Sequence, residues 1–349
     1  MKQILFLITL LPTLFFAQDF QRGVDISYLP TLEERGNKFY DGKGRQKDLL
    51  KILTSNGVNA VRLRLWVNNK SCNLEQTLAF AKRVKAAKMS FLLDFHYSDS
   101  WADPGKQAIP ESWKKLSYPN LRKRVYDYTK EVLLQFKKQK TLPEWVQIGN
   151  EVNHGLLWEY GRRKVKEGVP MCELFSEGVK ATREVLPKTK IMIHHAGGKG
   201  AERFFNTLLK NNVDYDIMGF SYYPWHHDKD IEAFRSLIYG LSKKHHKKIA
   251  IAETSYPWTL ENNDKSGNKV SDLEQILTNY QPTIEGQYQF VKDWMDWLKG
   301  HNGVGFYYWA PEYVSTPNDP AYKWGSSREN LSFFDFEHKP LKVLRAYKK

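Results

Sequence analysis

The chain has 349 residues, 41% hydrophobic and 14% aromatic, enough to bury a large core as one big α/β domain or two smaller ones. Its net charge of +14 comes from 53 basic against 39 acidic residues, but the lysines are scattered through helical stretches such as "AKRVKAAK" that read as solvated faces. With no RNA-binding aromatic motif, zinc-finger spacing or basic tail, the charge weighs against nucleic acid and leaves an acidic polysaccharide or an anionic envelope open. Cys72 and Cys172 are too few for a disulfide scaffold, and their spacing matches no metal motif.

Residues 1–17 stand apart. Lys2 gives a basic start, Ile4 to Phe16 an apolar stretch and Ala17 a small residue before "QD", the pattern of a secretory signal. Phe15 sits where a small residue is preferred, and a retained N-terminal anchor is the competing reading. Cleavage after Ala17 leaves 18–349 as an exported domain bound for the periplasm, cell surface or medium. No other apolar run is long enough to span a membrane.

Eight short apolar runs follow in order: "GVDIS" (23–27), "NAVRLRLW" (59–66), "SFLLDFHY" (90–97), "EWVQIGNE" (144–151), "KIMIHHAG" (190–197), "IMGFSYYP" (217–224), "KIAIAETSYP" (248–257) and "GVGFYYWAP" (303–311). Stretches of helical period lie between most of them, the clearest at 74–88 with Leu74, Leu78, Ala81 and Val84 on one face. Strands alternating with helices over this length, without a linker, predict a single-domain (β/α)8 TIM barrel. An open doubly wound sheet is the alternative, but "GVDISYLPTLEERG" lacks the glycine-rich phosphate loop expected after its first strand.

A barrel of this kind carries its chemistry at the C-terminal strand ends. Here those ends hold Asp25, Arg62, Arg64, Trp66, His96, Asn150, Glu151, Tyr222, Tyr223, Glu253 and Trp309. Glu151 and Glu253, closing the fourth and seventh runs, would face each other across the mouth. Glycoside hydrolysis needs such a pair, one carboxyl to protonate the leaving oxygen and one carboxylate to attack the anomeric carbon. Arg62 is placed to keep a nucleophile ionised, Tyr223 to orient it, and Asn150 to bond a sugar hydroxyl. Trp101, Trp225 and Trp309 offer flat faces for pyranose rings. A lone strand-end glutamate is more often solvated, and tryptophans there more often pack the rim. The pairs His194-His195, His226-His227 and His245-His246 invite a metal reading, but neighbours on a strand point to opposite faces, so no catalytic metal is expected.

"VRLRLWVN", "DFHYSDSWADPGKQAIPESW", "VQIGNEVNHGLLW", "SYYPWHH" and "AETSYPW" together resemble the glycoside hydrolase family 53 endo-β-1,4-galactanases. The C-terminal "WGSSRENLSFFDFEHKPLKVL" extends the likeness over nearly all of 18–349. The resemblance implies a retaining endo-hydrolase of β-1,4-galactan, the neutral side chain of pectin, acting as a monomer without a cofactor. Carried over, it makes Glu151 the general acid/base and Glu253 the nucleophile, supported by Arg62, His96, Asn150, Tyr223 and Trp309. Asp25, Asp99, Trp101 and Trp225 become substrate contacts. Some relatives bind calcium in the loop after the seventh strand, where this chain offers Asn262, Asn263, Asp264 and Asn268; the spacing is not that of an EF-hand, and such a loop is usually only a turn. "WVNN", "LLWEY" and "YYWAPEY" depart from the family's "WVNP", "LLWP" and "FYWEP", so Glu159 and Ala310 bear on subsite contacts. Two other readings keep the fold: a galactan-binding protein without turnover, and the same chemistry on a β-mannan or β-glucan.

Overall fold

The structure, a computed structural model, describes residues 20–227, 229–316 and 325–348. The expected signal segment, 1–17, lies outside the described residues. All eight expected strands form: β1 (Gln21–Asp25), β2 (Ala60–Leu65), β3 (Ser90–Phe95), β4 (Trp145–Ile148), β5 (Lys190–Ala196), β6 (Ile217–Ser221), β7 (Lys248–Glu253) and β8 (Gly303–Trp309). They pair in parallel in chain order, and β1 closes on β8 with Gln21 opposite Gly305.

The helices are α1 (Leu29–Glu34), α2 (Leu49–Ser55), α3 (Leu74–Ala86), α4 (Tyr118–Lys138), α5 (Val169–Val185), α6 (Ala201–Lys210), α7 (Ile231–His245) and α8 (Ile284–Gly300). Asn73, Asp230 and Thr283 cap α3, α7 and α8 by accepting a backbone N–H from the first turn, which satisfies a donor the helix itself cannot. The inward face of α3 differs from expectation: Thr77, Phe80, Ala81 and Val84 are buried, while Leu74 and Leu78 sit at its margin. None of the described helices is long and apolar enough to cross a membrane.

Two apolar cores result. Outward-facing strand residues such as Val61, Phe91, Val146 and Ile193 form one cluster with helix residues such as Phe136, Phe175 and Phe204. A smaller plug fills the barrel: Ala60, Leu92, Trp145, Met192, Ile217, Ala250, Ala252 and Tyr307. Gly23 has no side chain because a Cβ there would lie 2.3 Å from the Tyr307 ring. An alanine would overpack the plug at a cost of about 1–3 kcal/mol.

The plug sets the height of everything above it. Side chains alternate along a strand, so residues two further on point the same way. Two after Ala60, Leu92, Trp145 and Met192 come Arg62, Asp94, Gln147 and His194, every one of them buried. Asp25 and Trp309 stand likewise two after Gly23 and Tyr307. A polar tier thus rests on an apolar floor at the C-terminal end of the barrel.

Candidate active site

Arg62 is the hub of this tier and is 1% exposed. Its Nη1 donates to Asp25 Oδ2 at 2.7 Å and pairs with Glu253 Oε1 at 2.8 Å. Nη2 donates to Asp94 Oδ2 at 2.8 Å and Asn150 Oδ1 at 2.6 Å, and Nε to Gln147 Oε1 at 3.2 Å. All five N–H donors of the guanidinium therefore have partners, the condition under which a buried cation is tolerated. His96 supports it from behind. Its Nε2 lies 2.9 Å from Asp94 Oδ2, while Nδ1 accepts from Trp66 Nε1 and the Ala102 N–H at 3.3 and 3.2 Å. Because Nδ1 accepts two N–H groups, the ring's proton sits on Nε2, and burial pushes the His96 pKa down.

Glu253 is the last residue of β7 and is 7% exposed. Besides Arg62 it accepts from the Tyr223 hydroxyl at 3.0 Å. Glu151 lies beyond β4: the strand stops at Ile148, Gly149 turns at φ +81°, and Glu151 itself takes φ +46°. That left-handed conformation is strained for a side-chain-bearing residue and re-aims the carboxyl over the barrel. Ser221 Oγ lies 2.5 Å from Glu151 Oε1. A register shift after Phe220 sets Ser221 opposite Glu253 rather than Ala252, which carries its hydroxyl up to the pair.

Ligand atoms of Glu151, His194 and Glu253 all lie within 4.8 Å of one another, so the two carboxyl groups are near the separation of about 5–5.5 Å at which glycoside hydrolysis proceeds with retention. Their environments push them apart. Burial, then the charge of Glu253, raises the Glu151 pKa to about 8. Burial also raises Glu253, but Arg62 and the Tyr223 hydroxyl pull it back. The expected lowering by Arg62 is therefore present but outweighed by burial, and of the two carboxyls only Glu253 touches a cation. The cation beside Glu253 favours an anion there, and the burial of Glu151 favours a proton donor.

The pair stands in a cleft of about 1540 Å³ lined by Trp101, Trp225, Trp309 and Tyr313 among others. Trp101 is 40% exposed and its underside is packed: the Arg64 guanidinium lies 3.9 Å from its ring centre and 4.7 Å from that of Trp66. Asn150, Tyr223 and the three tryptophans named from the sequence all face this cleft.

Two expected substrate contacts are placed differently. Asp25, 2% exposed, is enclosed by Arg62 and by Ser27, whose N–H and hydroxyl both donate to Oδ1. Asp99 ties its loop to the one after β2, accepting the N–H groups of Asn68 and Glu111 at 3.0 and 2.8 Å; Asp103 of the same loop as Asp99 lines the cleft instead. Glu159 turns outward to pair with Arg162 at 2.9 Å. Asp94, Gln147, His194, Ser221 and Asp103 are missing from the expected site, His194 being weighed from the sequence only as half of a histidine pair. The first three announce themselves as polar residues interrupting apolar strands.

Glu151, His194 and Glu253 are the one trio of described histidine, cysteine or acidic side chains at metal-ligating distance. Both His194 nitrogens are already bonded, Nδ1 to Asn150 at 2.9 Å and Nε2 to Ser221 at 2.8 Å, and Arg62 holds the positive position beside Glu253. The trio does not fit a metal centre. His195 points the other way, onto Phe204 and Phe205, as the alternation of a strand requires. In the loop after β7, Asp264 accepts backbone N–H groups of Ser266 and Ser326 at 2.9 and 2.6 Å. Asn262 and Asn268 donate to backbone carbonyls. Asp264 thus ties the loop, but its carboxyl also meets that of Glu329, and Asn268 Oδ1 and Glu329 Oε2 are buried without a hydrogen-bond partner, so oxygens of the kind calcium takes are gathered here. Cys72 and Cys172 are separate buried thiols.

The family model of glycosyl hydrolase family 53 matches residues 21–347. The chain is 35% identical to an arabinogalactan endo-beta-1,4-galactanase of Cellvibrio japonicus, over 92% of this chain and 88% of that one. It is 32% identical to an endo-beta-1,4-galactanase of Bacillus subtilis, over 95% and 86% of the two chains. The solved catalytic domain of an Ignisphaera aggregans GH53 protein superposes with a TM-score of 0.88 at 34% identity, covering 98% of this chain and 99% of that one. A matched family model over nearly the whole chain, a closed barrel and two strand-end carboxyls agree: the chain belongs to glycosyl hydrolase family 53 and is a glycosidase.

Proposed function

We propose that this protein is an exported endo-β-1,4-galactanase that cleaves with retention, using Glu253 as nucleophile and Glu151 as acid/base. The observation that carries the reading is the carboxyl pair, its ligand atoms within 4.8 Å and only Glu253 bonded to a cation. Galactan is favoured over mannan or glucan by the names of the relatives above, which say so of those proteins.

In the first half-reaction Glu253 Oε attacks the anomeric carbon while Glu151 gives its proton to the glycosidic oxygen, so the C–O bond breaks and a neutral sugar hydroxyl leaves. Arg62 and Tyr223 keep the Glu253 carboxylate ionised and aimed. In the second half-reaction Glu151, now a carboxylate, takes a proton from water, which attacks the same carbon and frees Glu253. Asn150, with Oδ1 held by Arg62 and Nδ2 by the Ala102 carbonyl, is fixed beside the pair where a sugar hydroxyl would reach it. Trp101, Trp225 and Trp309 supply the apolar faces that pyranose C–H groups stack on.

The test is reducing-sugar release from β-1,4-galactan, mannan and cellulose by the wild type, Glu151→Gln and Glu253→Gln. Galactan-selective release, lowered at least about 10³-fold by either substitution, is expected. Binding of galactan without release from any polymer would point to a non-catalytic binder, and release from mannan or cellulose alone to a different polymer.

A further inference from the structure

Below Glu151 a run of hydrogen bonds leaves no freedom in where its protons sit. The run starts at Arg62, which can only donate. Asn150 Oδ1, 2.6 Å from Arg62 Nη2, is therefore the amide oxygen, and its Nδ2 donates to the Ala102 carbonyl at 2.9 Å, so the amide cannot be flipped. Gln147 is fixed in the same way, with Oε1 facing Arg62 Nε and Nε2 facing the Gly149 carbonyl at 3.0 Å.

His194 comes next. Its Nδ1 is 2.9 Å from Asn150 Oδ1, an oxygen with no hydrogen of its own, and 3.2 Å from Gln147 Nε2, whose two hydrogens have nearer acceptors in the Gly149 carbonyl at 3.0 Å and Asn150 Oδ1 at 3.1 Å, so the hydrogen between His194 and Asn150 belongs to Nδ1. The ring is fully buried beside Arg62, which keeps it neutral, so Nε2 carries a bare lone pair. Ser221 Oγ lies 2.8 Å from that lone pair and its one hydrogen satisfies it. What remains on Ser221 Oγ is a lone pair, 2.5 Å from Glu151 Oε1. The only hydrogen left to fill this contact is a carboxyl hydrogen on Glu151.

We infer that His194 and Ser221 are positioning residues that hold the proton on Glu151 and aim it, with Arg62 and Asn150 fixing their polarity. The inference deepens the proposed function and rests on the reading of Glu151 as proton donor. Once Glu151 has protonated the leaving oxygen, its carboxylate and His194 Nε2 compete for the single Ser221 hydrogen. The ionised site is one hydrogen bond short, and taking a proton from the attacking water restores it. The same residues that load the acid therefore also drive its recovery as a base.

The other charged groups facing this run are Glu253, Asp103 and Tyr223 around Glu151, and Asp94, His96 and His195 around His194. None of them touches the Ser221 hydroxyl, so they leave its direction unchanged.

The first experiment needs no substrate: 15N NMR of the histidine-labelled wild-type enzyme near pH 6, with the His194 signals identified by their loss in His194→Gln. A neutral ring protonated on Nδ1 is expected. An Nε2-protonated ring or an imidazolium would overturn the inference, whatever the enzyme cleaves. The second is the pH profile of kcat/KM on galactan for Ser221→Ala. Removing an acceptor from the protonated acid lowers its pKa, so the basic limb should fall by about one pH unit. If Ser221 instead donated to an ionised Glu151, its loss would raise the limb, and a limb that rises or stays in place counts against the inference. Should Ser221→Ala fail to fold, the NMR result decides alone. Absence of galactan cleavage by the wild type would refute the proposed function and leave the tautomer standing.

Discussion

Arg62 Nη1 lies 2.8 Å from Glu253 Oε1 and 2.7 Å from Asp25 Oδ2, so one nitrogen serves both the carboxylate at the cleft and one buried behind it. Lysine could not replace it, having three donors on a point charge where the site uses five in a plane. Arg62→Lys should lower kcat about 100-fold or more. It should also move the acid limb of the pH profile upward, since an ammonium shared among the same partners gives Glu253 a weaker contact than the guanidinium that favours its ionised form. Leaving Asp25 and Asp94 partly unpaired in the barrel should cost about 3–5 kcal/mol, read as a fall in the denaturant midpoint.

Much of this was legible in the sequence because both the barrel and its chemistry obey short periods. "AVRLRL" and "IMIHHA" put a polar residue two places after a plug residue, and the two glutamates close apolar runs, Glu253 directly and Glu151 after Gly149-Asn150. What was not legible depends on contacts far along the chain. Ser221 reaches Glu151, 70 residues away, only through the register shift beside β7. The resemblance implies Asp99 as a sugar contact, but backbone amides of its own loop and of the loop after β2 consume its carboxylate. Asp25 was visible as a strand-end acid; that it faces Arg62 rather than the cleft is a matter of depth, which a motif does not carry.

Tyr223 donates to Glu253 Oε2 at 3.0 Å and can be removed without touching the guanidinium. Tyr223→Phe keeps the ring and deletes one charge-assisted bond. A drop of about 10- to 100-fold in kcat, with little change in KM, is expected because the bond orients the nucleophile and does not hold the polymer. A change confined to KM would assign the hydroxyl to substrate binding instead.

Glu151 carries a stability consequence of definite sign. Its pKa is raised from 4.5 to about 8 by burial and Glu253, so above pH 4.5 the unfolded chain releases this proton and the folded protein keeps it. The folded state is therefore penalised increasingly from pH 4.5 to about 8, and the penalty is constant above that. Glu151→Gln removes it. The variant should melt higher than the wild type at pH 8, by about 2–5 °C, with the difference shrinking toward zero near pH 4. A difference independent of pH would place the cause in packing.

Trp101 stands in the cleft with one face exposed, held from below by Arg64 at 3.9 Å, and Trp309 is its neighbour at 6.1 Å between ring centres. Trp101→Ala should raise KM for galactan about tenfold and leave hydrolysis of a short activated galactoside nearly unchanged. Arg64→Met keeps the volume and loses the cation under the ring. Its effect should have the same pattern and be smaller, because the tryptophan remains but is less firmly placed.

The charge of +14 returns as a question about the natural form of the substrate. Arg163, Lys199, Lys269 and Arg328 all line the cleft that holds the carboxyl pair. Arg163 is pushed below the usual arginine range by burial and by the nearby Arg203, so the field at that end is positive on positive. Galactan is neutral, and its reaction should respond little to ionic strength. In pectin the same chain is joined to a polyanion, and attraction over a screening length of about 8 Å at physiological salt, about 3 Å at 1 M, adds to binding. Raising salt from low to near-molar concentration should therefore raise KM for pectin-linked galactan several-fold while leaving free galactan within about twofold. An equal response on the two substrates would show that the basic surface plays no part in holding the enzyme at its polymer.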